Sequence, residues 1–254
     1  MTDIEKYYVT FEISDLSSPI TIGVKSKVEG ENTISDLTIK AEVEKKYEDR
    51  IEENILKIVN DKTRYIGPIQ LSNRLIEYLK SIYVNKLKID FNYPFFYEKV
   101  SPVNGDKQMM KYNCQFSVKK NVDNEYIKQY KIEIPIVLEQ ILVPGIQKGF
   151  VEIPLKVVVE TEGFETLFAE DIIQLVEKNI LDSSFINTDN KNDDTIKLQL
   201  IDSIKNELFE KYNIVKCSAK IVNRKITHAY SVQVTSALQP INPNYETEKD
   251  MIFI

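Results

Sequence analysis

Few side chains in this sequence are equipped for chemistry. Its 254 residues include one histidine, His228, and two cysteines, Cys114 and Cys217. A zinc or iron site built from nitrogen and sulfur needs two or three such ligands converging on one point. Three is the whole supply, and the two cysteines lie far apart, outside any CxxC spacing. They read as small buried residues, because a free cysteine usually packs as a modest hydrophobe, and no disulfide framework is expected. His228 stands between Thr227 and Ala229 in an alternating stretch. A lone histidine on a strand is more often a hydrogen-bonded structural residue than a ligand. The polar segment 182–194 (DSSFINTDNKNDD) carries carboxylates that suit a hard cation. It lacks the central glycine and spaced acids of an EF-hand, so a solvated loop is the simpler reading. Phe91, Tyr93, Phe95, Phe96 and Tyr97 offer faces on which a base could stack. Aromatic density on one strand more commonly serves a core or a subunit contact. The seven glycines form no phosphate-cradling GxGxxG or GxxxxGK[ST] run.

The elements that must position these groups follow from periodicity. Residues 18–28 and 34–45 alternate apolar and polar side chains, as strands with one wet face do. Ile51, Ile55, Leu56, Ile58 and Val59 fall at helical spacing, as do Leu71, Leu75, Ile76, Leu79 and Ile82, with Gly67-Pro68 between the two sets. Strand alternation returns at 84–93 and 109–119, around a loop at Ser101–Gly105. The second half repeats the order: strands at 129–140 and 149–160, helices at 169–181 and 195–211, strands at 213–222 and 225–238. Each half therefore spells β-β-α-α-β-β, a repeat of architecture without a repeat of residues. This order predicts an α+β protein with antiparallel sheets and helices on one face. The tail, PINPNYETEKDMIFI, is expected to be an extended end whose last apolar residues, Met251–Ile254, dock on the body or on a neighbour.

Composition narrows the function classes. With 43% hydrophobic and 28% charged residues the chain has material for a real core. The net charge of -6 and the absence of a Lys/Arg-rich tract argue against a nucleic-acid partner. No apolar run reaches the ~18 residues of a membrane span, and the acidic start MTDIEKYYVT is unlike a signal peptide. A cytoplasmic protein with no membrane partner is expected.

Local motifs then point to one family. Tyr97-Glu98-Lys99-Val100-Ser101-Pro102-Val103-Asn104-Gly105-Asp106-Lys107, followed by Met109-Met110-Lys111-Tyr112, resembles the EK-x-SPV-x-G-x-K…M-x-Y segment of the type IB / MptA GTP cyclohydrolases. Ile132–Ile136 resembles their V-x-VPV strand, Gln147–Val151 their QRG segment, and Glu170–Glu177 their EDLI-x-LVE helix. Asn223–Tyr230 (NRKITHAY) is similar to a shortened form of their closing histidine motif. The resemblance implies a bimodular tunnelling fold of two tandem β-β-α-α-β-β units, with modules at 1–120 and 121–240 and a tail at 241–254. It also implies assembly into a homo-oligomer, since subunit contacts cover exposed sheet edges.

The departures from that pattern bear on activity. Gln140-Ile141-Leu142 stands where the family has Cys-Pro-Cys, and Gly145 or Ile146 where it has a histidine. Leu181-Asp182-Ser183-Ser184 occupies the place of a metal-binding glutamate, which Asp182 could replace only with a one-residue shift. His228 is the sole survivor of two closing histidines. Opening the imidazole ring of GTP requires a metal-activated water and an acid/base, so these losses predict that the family's zinc or iron is not bound. The resemblance leaves Glu177, Glu139 and Gln140 as candidate binders of a purine or pterin edge, where a carboxylate accepts two parallel N–H bonds. His228 is the catalytic candidate, and Asp182 with His228 a residual metal pair. Three readings stand: a catalytically degenerate purine/pterin binder or scaffold, a working cyclohydrolase with a rearranged metal site, and an unrelated α+β interaction protein.

Overall fold

The computed structural model describes residues 8–25, 27–60, 65–66, 84, 86–100, 105–120, 126–143, 147–162, 167–182, 193–224 and 229–237. The helix expected over Leu71–Ile82 and the position of His228 lie outside them. Strands β1 (Tyr8–Val24) and β2 (Lys27–Glu44) form a long antiparallel hairpin. Its register slips between Ile13 and Leu16, where Asp15 has φ 53°, a left-handed conformation that Asp tolerates. A 3-10 turn (Lys45–Tyr47) leads into α1 (Glu48–Asn60), which buries Ile51, Ile55 and Ile58. The short β3 (Tyr65–Ile66) runs parallel to β1. Strands β4 (Lys86–Val100), β5 (Lys107–Lys120), β6 (Tyr126–Val143) and β7 (Gln147–Glu162) follow, then α2 (Ala169–Asp182), α3 (Asp193–Lys211), β8 (Ile214–Arg224) and β9 (Ala229–Ala237).

The strands join one sheet in the order β3-β1-β2-β4-β5-β6-β7-β8-β9. This corrects the expected pair of tandem β-β-α-α-β-β units with separate antiparallel sheets. The element order is close to that expected, but β5 and β6 pair directly, from Lys120↔Tyr126 to Asn113↔Glu133. An unpaired strand edge exposes a row of N–H and C=O groups, and joining the two halves edge to edge satisfies both rows. The core is continuous across that seam. Leu37, Phe91, Phe116, Tyr130, Val159 and Cys217 are successive cross-strand neighbours, and all six are buried. The alternate positions form an outer face of charged and polar side chains, as in the run Lys40, Lys88, Lys119.

The helices lie over the buried face: α1 against β1 and β2, α2 against β6, and α3 against β8 and β9. Asp171 starts α2 by a reciprocal cap, its Oδ2 accepting the Phe168 N–H at 3.0 Å while its own N–H reaches the Phe168 carbonyl at 3.1 Å. A polar clasp ties α2 to α3. Glu207 accepts from Asn179 Nδ2 at 2.6 Å and from Lys178 at 3.3 Å, and pairs with Lys211. Lys211, then Asn179 and Lys178, hold the Glu207 carboxyl down at about 2. A carboxyl depressed in the folded state stabilises it above its unfolded value of about 4.3. That contribution falls away as the pH drops toward 2. Glu207→Gln is therefore expected to flatten the decline of urea-unfolding free energy between about pH 5 and pH 2.5; an unchanged slope would refute the clasp.

Candidate functional site

The best-formed polar constellation joins α2 to the β4–β5 hairpin. On β4, Tyr93, Phe95, Tyr97 and Lys99 occupy alternate positions on the helix side, with Phe95 and Tyr97 stacked at 6.2 Å between ring centres. Gln174 and Glu177 are one helical turn apart on α2 and so share a face. Gln174 Nε2 donates to the Tyr97 hydroxyl at 2.8 Å. The Tyr112 hydroxyl, from β5, donates to Glu177 Oε1 at 2.9 Å, and Lys99 pairs with the same oxygen. The Lys99 ammonium also lies 5.4 Å from the centre of the Tyr112 ring. Burial, then the negative charge of Glu177, raises the Tyr112 phenol, which remains a neutral donor. The Glu177 side chain is 25% exposed. Its Oε2 has no partner among the described residues, so one oxygen is clamped and the other is free to accept.

A second group, unexpected from the sequence, lies at the start of α2. Glu170 is 3% exposed, and its Oε1 accepts the Lys25 backbone N–H at 2.8 Å. Its Oε2 and the Tyr130 hydroxyl are buried without a partner among the described residues. Burial raises the Glu170 carboxyl above the usual carboxylate range. Beside it, Asp171 pairs with Lys25 from the β1–β2 hairpin. The sequence signal, two acids in the first turn of a helix, reads equally as a response to the helix dipole. Only packing shows that both are buried. The outer face carries a cavity of about 310 Å³ whose walls include Asp36, Asn92, Lys111, Asn113, Gln115 and Lys131.

The remaining candidates scatter along the fold. Glu139 and Gln140 lie on β6 opposite Phe150 and Gly149, and Asp182 is the last residue of α2. His228 is outside the described residues. Of the aromatic run, Phe91 and Phe95 are in the core, and Phe96 is on the outer face, 48% exposed. Cys114 and Cys217 are buried on different strands. Burial pushes both thiols up, Cys217 to about 12. Among the described residues no three His, Cys, Asp or Glu side chains converge.

One long, mainly antiparallel sheet with helices packed on its buried face defines a class. Urate oxidase from Bacillus sp. TB-90 superposes with a TM-score of 0.57 at 10% identity, over 91% of this chain and 100% of that one. Uricase from Arthrobacter globiformis gives 0.56 at 7% identity, over 96% and 98%. The fold is that of these tunnelling-fold proteins. Within that class the sequence is GTP cyclohydrolase-like: it is 24% identical over 229 residues to GTP cyclohydrolase FolE2 of Desulfotalea psychrophila, covering 88% of this chain and 87% of that protein. The resemblance is divergent, and no protein-family model matches the chain. Among the described residues no helix is long and apolar enough to cross a membrane.

Proposed function

We propose that this GTP cyclohydrolase-like protein binds a purine or pterin without performing the family's ring opening. The observation that carries this reading is Glu177, clamped by Tyr112 and Lys99 through one oxygen while the other stays available. A fixed, partly exposed carboxylate suits the paired N–H groups on the edge of such a ring. Gln140, standing in place of a thiolate, supplies neither a metal ligand nor an acid/base. The open sheet, with β9 at one edge and β3 at the other, favours a homo-oligomer in which neighbours cover those edges.

The test is a melting-temperature series with millimolar GTP, guanine and a dihydropterin, run beside an assay for formate release from GTP. Stabilisation by at least one ligand without turnover is the expected result. Formate release would favour a working cyclohydrolase with a rearranged site at Asp182 and His228. No shift with any ligand would sink the binding proposal.

A further inference from the structure

The outer-face cavity lies across the sheet from Glu177, and the strand register sets its floor as a grid. One cross-strand row runs Asp36, Asn92, Gln115, Lys131 over β2, β4, β5 and β6. The next row carries Pro94, Asn113 and Glu133. All seven residues line the space of about 310 Å³, which is at the small end of the ~300–1,000 Å³ usual for small-molecule sites.

Three amides stand together at its centre. Asn92 and Gln115 are directly opposite, about 5 Å apart at Cβ, and Asn113 follows two positions from Gln115 on β5, about 7 Å away. Asn92 and Asn113 are exposed and Gln115 is half-buried. None of the three has a side-chain hydrogen bond among the described residues, although each amide offers both donors and an acceptor. The charges around them balance. Asp36 and Glu133 contribute two carboxylates, Lys111 and Lys131 two ammonium groups. Glu133 already pairs with Lys156 at 3.4 Å, and Asp36 accepts the Ser17 hydroxyl at 3.1 Å. An anion placed here meets the carboxylates and a cation meets the lysines, so the lining suits an uncharged occupant. Phe96 adds an apolar face at the rim. It is opposite Lys111, diagonal to Asn113, and 48% exposed.

We propose that this cavity binds a neutral carbohydrate of mono- or disaccharide size. Its hydroxyls bridge the amides of Asn92, Asn113 and Gln115, and the C–H face of one ring rests on Phe96. A hydroxyl both donates and accepts, so neighbouring hydroxyls on a sugar match a primary amide in either of its orientations. The ring of Phe96 supplies the apolar contact that the sugar's other face requires. This site is independent of the purine or pterin reading, whose carboxylate lies on the helix side of the sheet.

Calorimetric titration of the full-length protein with D-ribose, D-glucose and maltose tests the proposal, beside hypoxanthine, glycine and inorganic phosphate. At least one sugar is expected to bind with a millimolar dissociation constant, and glycine and phosphate to give no signal. Asn113→Ala and Gln115→Leu are each expected to weaken that sugar about ten-fold, through lost hydrogen bonds. Phe96→Ala should weaken it several-fold, and Glu177→Ala should leave it unchanged. Asn113 and Phe96 are exposed, so their truncation leaves the fold intact, which melting curves check. Failure of all three sugars to bind would overturn the proposal, whichever of the other probes binds. So would sugar binding that survives both Asn113→Ala and Phe96→Ala, or that is lost in Glu177→Ala.

Discussion

Replacing Phe116 by alanine is expected to lower the unfolding free energy by about 4 kcal/mol, the largest effect of any single truncation considered. Phe116 is 2% exposed and lies in the middle of the row that crosses the β5–β6 seam. Its ring meets Tyr130 edge-on at 4.7 Å between centres. The cavity left by truncation would open where the two halves of the sheet join, among side chains from both. If the sheet shares one core, urea unfolding followed by circular dichroism and by tyrosine fluorescence remains a single coincident transition with a lower midpoint. A biphasic curve in which only one half is weakened would restore the picture of two units. Tyr130→Phe is the control. It keeps the ring and removes a hydroxyl that has no partner among the described residues, so stability should move by no more than about 0.5 kcal/mol.

The second expected result concerns Glu177. Glu177→Ala leaves the Tyr112 hydroxyl without its acceptor and Lys99 without its counter-charge. Both Lys99 and Glu177 are about one-quarter exposed, so solvent screens the pair and the cost is about 1–2 kcal/mol. Glu177→Gln keeps an acceptor for Tyr112 but loses the charge, and should cost about half as much. A double-mutant cycle with Lys99→Met isolates the pair, with an expected coupling of about 1 kcal/mol. The functional readout is separate. Any melting-temperature shift produced by a purine or pterin should vanish in Glu177→Ala and shrink in Glu177→Gln. A shift of full size in both variants would leave Glu177 a structural clamp and move the ligand elsewhere.

The sequence by itself determined nearly every described element. Alternation from Leu37 to Val43 and the helical spacing from Ile51 to Val59 are local patterns, imposed by the two-residue and 3.6-residue periods of the backbone. The GTP cyclohydrolase likeness was legible in the same way, from short motifs in a fixed order. Which strands pair is not a local property, and the meeting of β5 with β6 turned two expected sheets into one. Burial of charge was equally hidden. Glu177 and Glu170 are both acids on one helix, but packing sets one between Tyr112 and Lys99 and sinks the other against the backbone of Lys25. Sequence fixes periodicity because it acts between near neighbours. The dielectric around a carboxylate, and the partner it meets, depend on strands tens of residues away, and only the tertiary structure brings those together.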